Sequence, residues 1–479
     1  MNLALLYPEF LIAGVGFLIL GVDLFLPRER KALLAYVGAV ALLGIALSTF
    51  YLAGRRESLF DGVILVDAYA VFFKFVFLVI GVFILVVSVD YVKKYLSYPG
   101  EFYGIVIIAT LAMILMTAAG ELLTAYISLE LLSFSLYVLV AYARHDPKSN
   151  EAGIKYILIG AFSTALLLYG ISLIYGSVGT TFYKGIAEAL QAGTATKPGF
   201  LTGLVLVTAG LGFKIAAVPF HMWAPDVYEG APIPVTAYLS VAAKAAGVAL
   251  LLRLFVEAFS PAFADWRPVI VALSAVSMTV GNLVAIHQRN IKRLLAYSSI
   301  GQVGFILAGV AALSSQNAAF AATAIVFHVV GYAITTLAAF VCIIAYYNLT
   351  GKDEIPDYAG LVERSPFIAL VLAVAFFSSA GLPFFVGFTT KFYLFTAAAK
   401  DGLLWLVGLA ITNSLVSLYY YLVVLRRVYI EPPAEKGHLK IPGTMVVALG
   451  VLMVAIVALG FYPGPLVQLI SDATQALLS

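Results

Sequence analysis

The chain has 479 residues, of which 63% are hydrophobic and only 11% are charged, with a formal net charge of +3. A soluble protein carries roughly 25% charged residues, so a soluble fold of this composition would expose large apolar patches and aggregate. The composition therefore excludes a soluble enzyme and a nucleic-acid-binding protein, and it predicts a membrane protein. The single cysteine, Cys342, excludes a disulfide framework.

Apolar runs long enough to cross a bilayer follow one another along the whole chain. A spanning helix needs roughly 20 predominantly apolar residues, because each adds about 1.5 Å across about 30 Å of hydrocarbon. We identify fourteen such runs, at 5–26, 32–53, 67–90, 102–119, 121–143, 153–176, 200–221, 234–257, 268–287, 294–312, 317–346, 366–399, 403–427 and 441–462. The run 366–399 is too long for one straight helix and contains Gly381, Pro383 and Gly387, which predicts one interrupted span.

The distribution of lysine and arginine among the loops predicts the orientation, since basic residues favour the cytoplasmic side. The loops after odd-numbered spans hold sixteen such residues, Lys436 among them, and the loops after even-numbered spans hold seven. The seven are Arg55, Arg56, Lys184, Lys197, Arg253, Arg267 and Lys400. We therefore expect a multi-pass protein of the inner (plasma) membrane with both termini on the outer side.

Few charged residues remain within the predicted spans. Five are lysines, namely Lys74, Lys155, Lys214, Lys244 and Lys391, and the deeply placed acid is Glu130. A charge at mid-bilayer costs roughly 2.5–3.5 kcal/mol on insertion scales, so such residues indicate a functional path. Snorkelling to the interface is the alternative for Lys74 and Lys155, which lie near the ends of their runs. For the others the alternative is a static ion pair, although one acid cannot neutralise three lysines.

The neighbours of these residues are also polar or small. Tyr126, Glu130, Ser133 and Tyr137 recur at helical spacing and predict one polar stripe on span five. On span eight, Lys244 follows Ser240 by one helical turn within AAKAAG, whose small side chains permit close helix packing. We therefore expect the faces of the two spans that carry these residues to point toward protein or water.

Two of the lysines adjoin predicted breaks in their helices. Pro219 follows Lys214 in GLGFKIAAVPFHMWAPDVYEGAP, and Pro383 precedes Lys391 in SSAGLPFFVGFTTKF. A proline lacks the N–H that would bond the carbonyl four residues before it, which frees the carbonyls of Ile215 and Ser379. Such backbone is tolerated in a membrane only where it is buried in protein or lines a hydrated cavity. The two breaks therefore predict a polar path through the bilayer.

The breaks fall in spans seven and twelve, which predicts that spans 4–8 and 9–13 are two copies of one five-helix unit. An odd number of spans per copy makes the two copies inverted, as in many transporters. The sequence thus predicts an all-α polytopic membrane protein of about fourteen helices. Its segments are a three-helix segment at 1–101, the repeats at 102–257 and 268–427, and a C-terminal helix at 428–479.

Two histidines are weaker candidates for proton transfer, because histidine titrates near neutral pH. His221 follows Pro219 and His328 lies within span eleven, where a packing role is the alternative. No predicted loop is much longer than twenty residues, too few for a cofactor-binding domain. Redox or nucleotide chemistry is therefore expected on partner subunits, with no cofactor or metal in this chain.

Three long segments carry a resemblance to a known family. The sequence resembles the antiporter-like membrane subunits of respiratory complex I over nearly its whole length, through GLGFKIAAVPFHMWAPDVYEGAPIPVTAYLSVAAKAAG, SMTVGNLVAIHQRNIKRLLAYSSIGQVGFI and ERSPFIALVLAVAFFSSAGLPFFVGFTTKFYLF. The resemblance implies proton translocation coupled to electron transfer from NADH to quinone. NAD, flavin, iron–sulfur clusters and quinone would then belong to a peripheral redox arm and to other membrane subunits.

The resemblance also implies residue roles along the proton path. Glu130 and Lys214 match the family's buried Glu–Lys pair, Lys244 its central lysine, and Lys391 the lysine of the broken outward-leading span. His221 and Lys155 match polar residues of the inner half-channel and central axis, whereas His328 is a departure from the pattern. Burial favours a neutral lysine and a nearby carboxylate a charged one, so small rearrangements would pass a proton along the three lysines.

Three alternatives remain open from the sequence. The first is a subunit of a multisubunit sodium/proton antiporter, although a lysine-rich path repels a metal cation. The second is the equivalent subunit of a ferredoxin-, F420- or hydrogenase-linked proton-pumping complex. The third, a purely structural membrane spacer, leaves the buried lysines unexplained.

Overall fold

The computed structural model describes residues 2–433, 435 and 437–478 and is helical through most of its length. Within these residues, thirteen helices are long and apolar enough to cross a membrane. A further apolar helix, Pro366–Ala380, is too short to do so by itself and is followed by Val386–Lys400. The predicted all-α, multi-pass membrane fold is confirmed. The run 366–399, which was predicted to be one interrupted span, consists of these two helices.

The helices and strands follow the predicted spans closely. The first half of the chain forms α1 (Tyr7–Asp23), α2 (Ala32–Ser48), β1 (Glu57–Leu59), β2 (Ile64–Val66), α3 (Ala68–Tyr95), α4 (Pro99–Ala118), α5 (Leu122–Val140), α6 (Pro147–Val178), α7 (Tyr183–Gln191), α8 (Lys197–Ile215), α9 (Trp223–Gly230), α10 (Ile233–Tyr238) and α11 (Lys244–Arg253). The second half forms α12 (Phe263–Ala285), α13 (Ile291–Val310), α14 (Ala318–Thr350), α15 (Leu361–Arg364), α16 (Pro366–Ala380), α17 (Val386–Lys400), α18 (Leu404–Tyr429), α19 (Gly443–Phe461) and α20 (Gly464–Gln475).

The two short strands form an antiparallel hairpin between α2 and α3. Glu57 pairs with Val66 and Leu59 with Ile64, so the hairpin is three residues long. Its inward side chains, Leu59 and Val66, join Leu5, Leu6 and Leu52 in a small buried apolar cluster. The hairpin thus packs over the ends of the first spans.

The chain divides into two compact units. One contains Met1–Ile215, Ala242–Pro268 and Ile470–Ser479, and the other contains Ala216–Val241 and Val269–Leu469. Span eight, Ile233–Ala258, is one continuous helical stretch whose two halves belong to different units. The predicted segment boundaries at 102–257 and 268–427 stay a prediction, as does the inversion of the two repeats.

Some parts of the orientation prediction fall on residues that are not described. Lys436 lies outside the described residues, and so do Met1 and Ser479, the two termini predicted on the outer side.

Both predicted helix breaks are present, and positive φ angles cause them. Helix α8 ends at Ile215 because Ala216 has φ of 61°, three residues before Pro219. Helix α16 ends at Ala380 because Gly381 has φ of +88°, and Phe384 has a positive φ of 75° before α17 begins. The breaks therefore lie where they were predicted, after Lys214 in span seven and before Lys391 in span twelve.

Close backbone contact holds the two pieces of span twelve together. A Cβ atom added at Gly387, in the first turn of α17, would overlap the carbonyl oxygen of Ser378 in α16. The Gly387 N–H donates to the hydroxyl of Ser378 at 3.0 Å. Only glycine at this position lets the start of α17 approach the end of α16 so closely.

Gly387→Ala should lower the thermal unfolding temperature of the purified chain, because the overlap with backbone must be relieved at a cost of about 1–3 kcal/mol. Gly408→Ala is the matched control, since Gly408 lies in α18 with nothing within 4 Å of the added Cβ. That control should unfold at the same or a slightly higher temperature, because alanine favours helix. Equal unfolding temperatures for the two variants would contradict this account of the break.

Candidate functional site

The polar stripe predicted on span five is present on α5. Ser133 and Tyr137 are buried, Tyr126 and Glu130 are half-buried, and the neighbouring face exposes Ile127 and other apolar side chains. The stripe therefore faces the protein, whereas the apolar face is available to lipid or to a neighbouring subunit. One carboxylate oxygen of Glu130 is buried and has no hydrogen-bond partner among the described residues.

Lys214 reaches this stripe from the last turn of α8. Its ammonium donates to the hydroxyl of Ser133 at 3.0 Å, and that hydroxyl donates to the Leu129 carbonyl at 2.7 Å. Lys214 is 3% exposed and lies within the electrostatic influence of Glu130. In the described part of the chain, no ion pair of 4 Å or less joins Glu130 and Lys214. The direct partner of the lysine is thus a neutral hydroxyl on the same stripe as the acid.

Lys244 begins α11 immediately after a π-helical turn, Leu239–Ala243, in the middle of span eight. It is 2% exposed and lies among buried small residues. A Cβ added at Gly247, one turn further on, would lie 2.9 Å from the Ile215 side chain and 3.4 Å from Cγ of Lys214. The small residues therefore let α11 pack directly against the stem of Lys214, and π-helical turns often mark functional sites.

Lys391, in α17, binds the free carbonyls at the break of span twelve. Its ammonium donates to the carbonyl of Ser379 at 2.8 Å, to the carbonyl of Ala380 at 3.2 Å and to the hydroxyl of Ser414 at 2.9 Å. All three donors of a charged lysine are therefore used. The ring of Phe305 lies 5.0 Å from the ammonium and adds a cation–π contact. The sequence predicted the free Ser379 carbonyl beside this lysine.

A family model described as NADH:quinone oxidoreductase/Mrp antiporter, TM, matches residues 119–417, which is more than half of the chain and covers these lysines. The chain belongs to this antiporter family. Among curated relatives, NADH-quinone oxidoreductase subunit N of Moorella thermoacetica is 42% identical over 470 residues, 97% of each chain.

Solved structures have the same fold. A chain of respiratory complex I from Thermus thermophilus matches with a TM-score of 0.81 at 29% identity, covering 96% of this chain and 98% of that one. A chain of the archaeal membrane-bound sulfane sulfur reductase matches with a TM-score of 0.88 at 25% identity, covering 100% and 98%. The Mrp complex from Dietzia contains a chain with the same fold, with a TM-score of 0.87 at 21% identity. All three structural relatives are subunits of larger membrane complexes.

In this member of the antiporter family, His328 lies close to Lys391. His328 is 2% exposed, its Nδ1 lies 3.1 Å from the Thr390 hydroxyl, and its Nε2 has no partner within the described chain. His328 and Lys391 line one cavity of about 10 Å³, which has room for about one water molecule. The cavity also contains the hydroxyl groups of Ser378 and Thr335. The structure thus brings His328 to the break of span twelve.

The other two predicted residues lie elsewhere. His221 is half-buried in the segment between α8 and α9, and its Nδ1 is buried without a hydrogen-bond partner in the described structure. The side chain of Lys155 is 40% exposed in the third turn of α6, where it pairs with Glu151 at 2.7 Å. Lys155 therefore has the exposure expected of a side chain that snorkels to the interface.

Sequence reasoning assigned Arg253 to a loop, and this was wrong. Arg253 is fully buried within span eight, where its guanidinium forms two hydrogen bonds with Asp67 at 2.8 and 2.9 Å. It also donates to Glu257 at 2.7 Å and lies over the Tyr69 ring. Removing Arg253 from the loop count leaves the predicted orientation unchanged, because the odd-numbered loops remain the more basic.

A second buried pair was also missed. Lys74 is 2% exposed and lies 2.6 Å from the Glu9 carboxylate, so it joins α3 to α1 and does not snorkel. Glu9 lies in the first turn of α1, and it was not among the candidate residues, whose one acid was Glu130. Both pairs join helices within one compact unit and neutralise charge by direct contact.

Arg253→Met should strongly destabilise the chain, because it leaves Asp67 and Glu257 as unpaired buried carboxylates. Losing one partner of a buried ion pair costs about 3–5 kcal/mol, whereas replacing all partners is often neutral. The triple variant Arg253→Met, Asp67→Asn, Glu257→Gln should therefore recover much of the lost stability. Thermal unfolding of the purified chain measures both effects, and an unchanged unfolding temperature for the single variant would contradict a stabilising role for Arg253.

Proposed function

We propose that this chain is an antiporter-like membrane subunit of an NADH:quinone oxidoreductase and translocates protons across the cell membrane. The observation that carries the proposal is that buried lysines next to both helix breaks bind neutral groups rather than carboxylates. Lys214 donates to Ser133, and Lys391 donates to Ser414 and to two carbonyls. A lysine held in this way can release a proton without separating an ion pair in a medium of low dielectric constant.

The first step of the path lies within one compact unit. The Ser133 hydroxyl contacts Lys214 and both donates and accepts hydrogen bonds, which suits it to pass a proton. Glu130 lies one turn from Ser133 on α5, and in general a nearby carboxylate and burial have opposite effects on the charge of a lysine. Small movements of α5 therefore shift the balance at Lys214, and we infer that the proton passes to Lys244 on the adjoining helix α11.

The outward step lies in the other unit. A charged Lys391 donates to three acceptors, and Gln302 and Ser414 also donate to the two carbonyls, so these acceptors keep hydrogen bonds when Lys391 loses a proton. The small cavity shared with His328 has room for one water molecule, which would take up the released proton. We therefore assign release of the proton to Lys391, with His328 and Thr390 as neighbouring proton-exchanging groups.

The same contacts argue against sodium transport. A sodium site needs carbonyl and carboxylate oxygens, and the free carbonyls of Ser379 and Ala380 are bound by the Lys391 ammonium. The relatives at about 40% identity are named NADH-quinone oxidoreductase subunit N, which favours NADH as electron donor over the hydrogenase- or ferredoxin-linked alternative.

The proposal places the redox chemistry in partner subunits. NAD, flavin, iron–sulfur clusters and quinone would be bound there, and this chain would act as a non-redox subunit of the translocase. The loop charges support an orientation with the odd-numbered loops in the cytoplasm.

Glu130→Ala tests the first step. Without the carboxylate, the balance between charged and neutral Lys214 is lost, so we expect at least ten-fold slower proton pumping by the assembled complex in proteoliposomes. Glu188→Ala is the matched control, because it removes an exposed acid from α7, outside the spans. The control should pump normally. Normal pumping by Glu130→Ala, at equal assembly, would remove Glu130 from the path.

Substitutions at Lys244 distinguish a proton relay from a fixed positive charge. Arginine preserves the charge but does not release its proton at any physiological pH. Lys244→Arg should therefore assemble and yet pump as poorly as Lys244→Met, measured as protons moved per NADH oxidised. If arginine restores pumping while methionine does not, Lys244 is a fixed charge and not a relay.

A further inference from the structure

A cavity of about 460 Å³ lies where one end of α18 meets the connection between α12 and α13. Its lining includes both basic and apolar side chains. His287, Arg289 and Arg427 lie on its polar side, and Tyr420, Val424 and Leu294 form its buried floor. All of these residues belong to one compact unit.

The polar side of the cavity carries positive charge that the described residues do not neutralise. Arg289 is exposed, and within the described chain its side chain makes no ion pair or hydrogen bond. Arg427 shares one carboxylate, that of Glu431, with Arg426, so two guanidinium groups face a single acid. Glu354, which directly precedes the cavity-lining residues Ile355 and Pro356, accepts a hydrogen bond from Asn290 and, in the described chain, forms no ion pair with Arg289 or Arg427.

The apolar side continues along the outer face of α18. Val423 lines the cavity and is 40% exposed, and Tyr419 and Leu415 follow at intervals of four residues toward the middle of the helix. These two side chains are 58% and 64% exposed. Residues four apart lie on one face of a helix, so an apolar stripe leads from the cavity along the surface of the span.

We propose that this cavity binds an anionic phospholipid, with the phosphate of the headgroup on Arg289 and Arg427 and an acyl chain along the stripe. Basic pockets at the ends of membrane helices recognise anionic headgroups in this way. The volume exceeds what a free phosphate needs, and the apolar stripe begins where the charged groups end. A transmembrane helix of a neighbouring subunit would cover the stripe but would leave the arginines without a counter-ion.

Lipid binding to the delipidated full chain in detergent tests the proposal. The probes are palmitoyl-oleoyl-phosphatidylglycerol and the zwitterionic phosphatidylcholine of the same chains, with retained lipid counted by native mass spectrometry. The wild type should retain phosphatidylglycerol in preference to phosphatidylcholine. Arg289→Gln with Arg427→Gln should weaken phosphatidylglycerol binding roughly thirty-fold, since each basic residue near a membrane contributes about five-fold.

Arg28→Gln with Arg30→Gln is the matched control, because it removes the same charge from exposed residues of another loop. That variant should bind phosphatidylglycerol as the wild type does, and all variants should show the wild-type unfolding temperature. The proposal fails if the cavity variant binds phosphatidylglycerol normally or if it loses both lipids equally. It also fails if millimolar inorganic phosphate displaces the lipid, which would indicate a free-anion site, or if the wild type retains no phosphatidylglycerol.

Discussion

The carbonyl groups at a break in a membrane-spanning helix lose their hydrogen-bond partners within the helix, and the rest of this structure depends on how they are satisfied. At the end of α16, the carbonyls of Ser379 and Ala380 accept hydrogen bonds from the ammonium of Lys391, which lies in the following helix. The carbonyls at the break therefore hold the Lys391 ammonium within the membrane, and the ammonium in turn donates hydrogen bonds to them. An unpaired carbonyl and an unbound buried ammonium both carry a desolvation penalty, and Gln302 and Ser414 also donate to the same two carbonyls.

Four buried cations in the described part of the chain differ in their partners. Arg253 and Lys74 contact carboxylates at 2.6–2.9 Å, so their charge is neutralised by direct contact. Lys214 and Lys391 contact hydroxyl and carbonyl groups instead. Loss of a proton from the second group leaves a neutral amine beside neutral groups, a change that the interior tolerates. The difference separates residues that hold helices together from residues suited to proton transfer.

Hydropathy and the helix-breaking residues predicted the spans and both breaks from sequence alone. The free carbonyl of Ser379 beside Lys391 also followed from the position of Pro383. The ion pair of Arg253 with Asp67 did not, because the two residues lie 186 positions apart and Arg253 stands near the end of its apolar run. Glu9 was overlooked for a similar reason, since it lies in the first turn of α1. Contacts between distant helices depend on packing that one sequence does not encode in any local pattern.

Ser133 and Ser414, the hydroxyl partners of the two lysines, also differ in how far the sequence predicted their contacts. Ser133 was expected because it falls on the stripe of Glu130. Ser414 also recurs at helical spacing with Ser417 and Tyr421 on α18, but nothing in that pattern linked it to Lys391 on another helix. Helical spacing thus predicts which polar residues share one face of a helix. Which residue of another helix they contact is seen only in the three-dimensional structure.

We infer that the cation moved along these lysines is a proton. Proton uptake into proteoliposomes that contain the assembled complex, driven by NADH and a quinone in media with and without sodium, tests this inference most directly. We expect the same number of protons per NADH in both media and no uptake of radioactive sodium. Proton movement that stops when sodium is removed and returns when sodium is added would contradict it.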